Sequence, residues 1–389
     1  MTSFAQRIAH LAPEGAYAVL IRSQELEAQG REIIHLEIGQ PDFDTYPNVA
    51  LAGIRAIAAG KTQYSLPSGI KELRRALADD AGRRRGVSLA PEQVVVAPGT
   101  KPLLLLPMMA LLEPGDEVIT PDPGFPTYEA AIRLVGATPV PVPPVEAQGF
   151  DLDLDAFDAA LSERTRLIIL NSPSNPTGGI LSARALEHVA AAAQRHDCWV
   201  LSDEIYARLV YGEEAPSILS LPGMLDRTIL ADGFSKTYSM TGWRLGFGVM
   251  PAPLAYKMEL LLTHSVGCTA TFTQYAGLEA VLGPQDMVEA MRAEFQTRRD
   301  LIVAGLNAIP GISCPLPRGA FYAFPNIQSF GKSSDELADY LLTEAGVALL
   351  PGTAFGARGE GYLRLSYANS LPNIQRALER IADALGKLR

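Results

Sequence analysis

Cysteine is scarce in this chain. Its 389 residues include three, Cys198, Cys268 and Cys314, an odd number at wide spacing. They form no CxxC pair and no disulfide framework, which excludes a stapled secreted scaffold and a thiol-ligated metal centre. Cys198 and Cys268 stand among apolar or small residues, which predicts buried, reduced thiols. The five histidines, His10, His35, His188, His196 and His264, share no metal-ligand spacing. No apolar run reaches the roughly 18 residues of a membrane span. The N-terminus lacks the basic-then-apolar pattern of a secretion signal, so a cytoplasmic setting is expected. There is no long basic run, and the net charge is −10, which argues against nucleic acid as a partner. A local pocket can still oppose that global field and hold a small anion. Internal repeats and low-complexity tracts are absent as well.

What is present is an ordinary globular composition, 48% hydrophobic and 20% charged, in a chain too long for one core. Two domains are expected. Residues 1–35 read as a helix with a Tyr17, Leu20, Ile21 stripe, ending near Gly30. A short strand follows at Ile33–Gly39, then loops, then a charged amphipathic helix through Leu73 and Leu77. Seven apolar runs come next: Val94–Ala97, Glu117–Thr120, Thr138–Val142, Leu167–Asn171, Cys198–Ser202, Thr228–Asp232 and Leu245–Met250. Helical stretches separate many of them, which predicts a largely parallel sheet covered on both faces. Pro107 falls inside one such helix and is expected to kink it. After Gly283-Pro284 a long amphipathic helix carries Val288, Met291, Phe295, Ile302 and Leu306 on one face. It leads into a region with strands near Phe321–Phe324 and Tyr362–Ser366. A closing helix there presents Ile374, Leu378, Ile381 and Leu385, with Ser370 as its N-cap.

Polar clusters follow the apolar runs, and ligands of parallel sheets sit beyond the carboxyl ends of strands. Gly99-Thr100-Lys101 opens a helix, where backbone amides suit a phosphate. Asn171 to Gly179 is a turn rich in Asn and Pro, able to fix an amide against a ring oxygen. Asp203, in Asp203-Glu204-Ile205-Tyr206, ends an apolar strand, where a carboxylate needs a partner such as a protonated heterocyclic nitrogen. Gly233-Phe234-Ser235-Lys236 through Arg244-Leu245-Gly246 supplies an amine among small and aromatic residues. Each has a plain alternative: an ordinary strand–helix turn, a loop, an N-cap Asp, a solvated Lys. Jointly they supply a phosphate cradle, a hydrogen-bonder to oxygen, a carboxylate for a ring nitrogen and an amine. That set is what pyridoxal phosphate requires.

The same motifs, in the same order over nearly the whole chain, resemble the class I/II aminotransferases of fold type I. The resemblance implies an α/β fold: a large domain with a seven-stranded, mostly parallel sheet covered by helices, and a smaller α+β domain. The expected division is 1–45 (N-terminal segment packing with the small domain), 46–285 (large, cofactor-binding) and 286–389 (small). It implies that Lys236 forms the imine with pyridoxal 5'-phosphate and moves the substrate α-proton. Asp203 would pair with the pyridine nitrogen. Tyr206 and Asn175 would bond the phenolic oxygen, and Phe125 would stack on the ring. Gly99, Thr100, Ser235 and Arg244 would hold the phosphate, with Lys101 beside them. Arg364 would bind the substrate α-carboxylate, with Gly39 and Asn175 near it. Tyr64 would reach the neighbouring subunit's phosphate, which implies a homodimer with shared sites. The Asn175-Pro176 bond is expected to be cis.

The chain departs from the pattern in places. Gly233 stands where some relatives have a serine on the phosphate. Residues 260–270 contain no Lys or Arg, so an arginine that some aspartate aminotransferases place there is missing. Lys101 could take its place for dicarboxylates, and His264 is a further specificity candidate. Lys101 leans toward aspartate or glutamate; the neutral stretch leans toward aromatic or aliphatic amino acids. Lyases, decarboxylases and racemases of the same fold share these residues. A non-catalytic cofactor-binding regulator is disfavoured, since no basic DNA-binding segment accompanies the chain.

Overall fold

The computed structural model describes residues 4–8, 11, 13 and 15–388. His10 lies outside the described residues. Seven strands form the main sheet: β1 (Val94–Ala97), β2 (Glu117–Pro121), β3 (Thr138–Val142), β4 (Thr165–Asn171), β5 (Trp199–Asp203), β6 (Thr228–Gly233) and β7 (Gly246–Val249). Their order is β1-β7-β6-β5-β4-β2-β3. Pairs β6–β5, β5–β4, β4–β2 and β2–β3 are parallel, and only β7 runs antiparallel to its two neighbours. This is the expected α/β architecture. Strands β1, β6 and β7 are buried along their whole length because helices cover both faces of the sheet.

Helices Lys101–Leu111, Thr127–Leu134 and Ala252–Ser265 build one apolar layer with Val95, Leu167, Leu201 and Ile229. On the other face, helices Lys71–Arg85 and Thr271–Leu282 pack on Val96, Leu230 and Phe247. Helix Ala183–Arg195 covers Ile168 and Val200 there. Helix Lys101–Leu111 continues through buried Pro107.

A second core lies outside the sheet. The long helix Asp286–Ala308 and the closing helix Leu371–Gly386 pack together around Phe295, Ile302, Ile374 and Ile381. The strand Leu363–Ser366 pairs with Tyr322–Ala323 on one side and Leu350–Pro351 on the other. The N-terminal residues Ile34 and Leu36 belong to this core, and Ile34–His35 pairs with Val347–Ala348. Ser370 caps the closing helix through the Asn373 amide. Val288 at the head of the long helix packs with the sheet and Met291 with the second core, so that helix joins the two.

Two expectations are corrected. Among the described residues the N-terminal region forms an α-helix only over Gly15–Ala28, and its Tyr17 and Ile21 point outward, 58% and 59% exposed; Ser23 and Leu26 are the buried residues. Cys268 is only half-buried, because it sits in the loop beyond helix Ala252–Ser265 rather than in a core. Among the described residues no helix is long and apolar enough to cross a membrane.

Candidate active site

The carboxyl ends of β4, β5 and β6 converge with the turn after β1. Asp203 closes β5 and is 4% exposed. Its Oδ2 accepts from the Tyr128 hydroxyl at 2.7 Å and its Oδ1 from the Ile205 amide at 3.2 Å. Burial pushes the Asp203 carboxyl up to about 6, against the pull of those two hydrogen bonds. A carboxylate so placed is poised to take a cationic partner. Asn171, at the end of β4, donates to the Asp203 carbonyl at 3.1 Å and accepts from the Asn175 amide at 2.8 Å. One side chain thus ties the Asn175 turn to the Asp203 strand. The Asn175-Pro176 bond is cis, as are Asp122-Pro123 and Ser172-Pro173.

Lys236 lies in the short helix Phe234–Thr237 that follows β6. Its Nζ donates to the Gly39 carbonyl at 2.5 Å and lies 5.8 Å from the centre of the Phe321 ring. Gly39 is tightly constrained: a Cβ there would sit 2.2 Å from the Tyr322 hydroxyl, so any side chain would evict that tyrosine. Tyr206 is buried, and its hydroxyl meets that of Tyr322 at 2.7 Å.

Arg364 is 3% exposed on the strand Leu363–Ser366. Its guanidinium lies 4.5 Å from the Tyr322 ring centre and 5.0 Å from that of Phe355. Nη2 donates to the Glu37 carbonyl and Nη1 to Asn175 Oδ1 at 3.4 Å. Nε has no hydrogen-bond partner among the described residues. Burial pulls this guanidinium down from its ordinary value. A desolvated cation with an unused N–H is a receptor for an anion.

A second cationic group, Arg244, meets the backbone where β1 ends. Gly99 has φ +85, and a Cβ on it would lie 2.3 Å from Arg244 Nη2. Glycine therefore lets the backbone lie directly against the guanidinium, with helix Lys101–Leu111 starting two residues later. Arg244 itself is exposed, takes φ +56 and donates to the Thr241 carbonyl at 2.9 Å. Ser235 is buried at the start of the Lys236 helix. An open cleft of about 650 Å³ lies beside this cradle, lined by Pro98, Thr241, Trp243, Arg244 and Phe272 among others.

The remaining candidates fall at the rim. Phe125 meets Tyr128 edge-on at 5.7 Å, and exposed Lys101 holds its Nζ 5.6 Å from the Phe125 ring centre. Tyr64 is 97% exposed, so nothing in its own chain covers it. His264 is exposed on helix Ala252–Ser265 and makes no hydrogen bond to these residues.

Four contributors were assigned no role from the sequence. Tyr128 stands one helical turn after Phe125, a spacing that could have flagged it. Asn171 ends a strand as Asp203 does, which was a usable signal. Tyr322 and Glu37 carried none. Glu37 is fully buried, and its Oε1 lies 2.7 Å from His35 Nδ1, with Glu27 3.1 Å from Nε2. Hydrogen bonding to Glu37 raises His35 to about 9. Behind the site, Arg85 of helix Lys71–Arg85 pairs with buried Glu204 at 2.6 Å, bracing the segment that carries Asp203 and Tyr206.

Comparison with known proteins fits this geometry. Residues 31–381 match the family model described as aminotransferase class I and II. The chain is 39% identical to a probable aspartate/prephenate aminotransferase of Aquifex aeolicus, over 99% of each. It is 41% identical to aromatic-amino-acid aminotransferase 2 of Thermococcus litoralis, over 92% of this chain and 93% of that one. The solved aspartate aminotransferase of Thermus thermophilus with maleate superposes with a TM-score of 0.95 at 37% identity, covering 99% of this chain and 100% of that one.

Proposed function

The chain belongs to the class I and II aminotransferases and is an enzyme of the transaminase type, and we propose that it uses pyridoxal 5'-phosphate and works by a ping-pong route. The observation that carries this reading is the pairing of two anion receptors around one amine. Buried Arg364, its Nε unpartnered among the described residues, adjoins Tyr322 and through it Gly39, and the Gly99–Arg244 pair adjoins the strand that leads into the Lys236 helix. Lys236 lies with them, bonded to the Gly39 carbonyl. The residues fit the cofactor on two further counts. Asp203, raised to about 6 by burial, gains by facing a protonated ring nitrogen. The Gly99 backbone lies where a Cβ would block the cradle.

When bound, the cofactor supplies an aldehyde that condenses with amines and a ring that stores the electron pair left at the substrate α-carbon. Gly99, Thr100, Ser235 and Arg244 would hold its phosphate, Asp203 its ring nitrogen, and Tyr206 with Asn175 its phenolic oxygen. Phe125 would cover the ring. Arg364 grips the substrate α-carboxylate through its planar fork and so orients the α-hydrogen. Lys236 Nζ takes that proton and returns one, acting as base and then acid. The Gly39 loop, bonded to Lys236, would shut water from the proton transfer.

The two cores support reading 46–285 as the cofactor-binding unit and 1–45 with 286–389 as the smaller one. Fully exposed Tyr64 supports a homodimer in which it reaches the neighbouring site. The three free cysteines suit a reducing, cytoplasmic setting. Lys101 at the mouth of the site favours aspartate or glutamate as donor. A second reading, an aromatic donor, is favoured by the residues 260–270, which carry no cation.

Two measurements test the assignment. Incubating one amino acid with one 2-oxo acid should yield the paired oxo acid and amino acid; release of ammonia, carbon dioxide or a D-amino acid instead points to another reaction of the fold. Lys236→Ala should lose the visible absorbance of the lysine-bound cofactor and the half-reaction; transamination at the wild-type rate in that variant would refute the role of Lys236.

A further inference from the structure

Tyr322 connects the two halves of the site. Its ring lies 4.5 Å under the Arg364 guanidinium, and its hydroxyl lies 2.7 Å from that of Tyr206. Both tyrosines are buried, at 1% and 3% exposure. The Tyr322 hydroxyl also fills the space beside Gly39 that any side chain would need. Its position is therefore fixed from three sides, by Arg364, Tyr206 and the Gly39 backbone.

Two phenols that share one hydrogen bond must divide the roles. One donates; the other accepts and keeps its own proton for a different partner. The charged groups bearing on the pair decide which. Arg364 bears on both phenols and lies 4.5 Å from the Tyr322 ring centre, while the Asp203 carboxylate bears on Tyr206 alone. A cation beside a phenol makes it the better donor, and a carboxylate makes it the poorer one. The cation is common to both, so the carboxylate decides, and Tyr322 is the better donor of the two.

We propose that Tyr322 is a positioning residue, whose hydroxyl donates to Tyr206 so that the Tyr206 proton is directed at the cofactor's phenolic oxygen. The ring and the hydroxyl then do separate jobs. The ring supports the carboxylate-binding Arg364; the hydroxyl sets the donor strength of Tyr206. This rests on the pyridoxal phosphate reading above.

The test separates the two jobs with two variants of the holoenzyme. Tyr322→Phe keeps the ring and removes the hydroxyl; Tyr322→Leu removes both. The first readout is the pH titration of the visible band of the lysine–cofactor imine. Weakening the Tyr206 bond leaves the phenolic oxygen less stabilised, so the imine should titrate higher. An upward shift of about 0.3 to 0.7 pH unit is expected in Tyr322→Phe, a fraction of one ordinary hydrogen bond. The second readout is equilibrium binding of maleate, an unreactive dicarboxylate. It should stay within about twofold of wild type in Tyr322→Phe and weaken about threefold or more in Tyr322→Leu, which lacks the ring under Arg364.

The sign of the first readout is decisive. A downward shift would mean that Tyr206 donates to Tyr322, and the assignment falls. It falls equally if Tyr322→Phe titrates with wild type, or if the variant merely loses thermal stability with an unmoved titration. Equal weakening of maleate by both variants would also overturn it, since the hydroxyl would then act on Arg364. A wild-type protein with no lysine-dependent band would bring down the cofactor reading and this proposal with it; an intact wild-type band beside an unshifted variant brings down this proposal alone.

Discussion

Replacing Asp203 with Asn should stabilise the cofactor-free protein at neutral pH while crippling the enzyme. The carboxyl is raised from 3.8 to about 6, chiefly by burial. A group whose folded pKa exceeds its unfolded one holds its proton more tightly when folded. Its favourable contribution is complete below pH 3.8 and fades as the pH rises through 6. A shift of about two units corresponds to roughly 3 kcal/mol, of which about 2 kcal/mol is lost between pH 4.5 and 8. An amide does not titrate and escapes this loss. It has one oxygen for the two donors now served, Tyr128 and Ile205, so it forfeits about 1 kcal/mol of hydrogen bonding at every pH.

Asp203→Asn should therefore be close to wild type at pH 4.5 and about 2 kcal/mol more stable at pH 8, without cofactor. Denaturant unfolding of both proteins at the two pH values measures this directly. Cofactor should reverse the ranking at pH 8, because a protonated ring nitrogen gives the carboxylate its counter-charge. The gain in thermal midpoint on adding pyridoxal phosphate should then be larger for wild type than for the variant. A stability difference that does not change with pH would refute the burial argument. An equal gain from cofactor in both proteins would refute the pairing of Asp203 with the ring nitrogen.

Arg364→Ala should lower kcat/KM for amino acid substrates by about a hundredfold or more, the loss of two charge-assisted hydrogen bonds, with most of the change in KM; an unchanged KM in steady-state assays would remove Arg364 from carboxylate binding. Lys101→Ala should lower kcat/KM about ten- to a hundredfold for aspartate and glutamate while leaving phenylalanine and tyrosine within about threefold. A panel of amino donors against 2-oxoglutarate reads this, and an equal loss across the panel would assign Lys101 to the cofactor instead of the side chain of the substrate.

The sheet was legible because its signals are local. Each of the seven strands is a short apolar run bounded by turns, and the parallel order follows from helices between them. Asp203, Lys236 and Asn175 were legible for a related reason. They sit at the ends of such runs, where an open parallel sheet gathers its ligands, and each carries a functional group that is odd in its surroundings. Tyr17 and Ile21 misled because an apolar stripe tells which face is apolar, not what covers it. On the described helix that face is turned to the outside.

Tyr322 and Glu37 were invisible because nothing about their own neighbourhoods is unusual. A tyrosine in Phe321–Phe324 reads as strand packing, and a glutamate in Ile33–Gly39 reads as a solvated residue of a half-buried strand. Their meaning comes from contacts across the chain. The Tyr206–Tyr322 bond spans 116 positions and the Arg364–Glu37 bond 327. The first joins the second core to the segment after β5 and the second lies within that core, and Lys236 meets the Gly39 carbonyl across 197 positions where the core and the sheet end come together. The groups proposed to bind cofactor therefore come mostly from strand ends, and those proposed to orient substrate come from the second core. A motion of that core against the sheet would move Arg364, Tyr322 and Gly39 together relative to Lys236 and Asp203. The division explains why a cofactor could be proposed from sequence motifs and a substrate could not. Strand ends are encoded locally, while the substrate pocket exists only once the two cores meet.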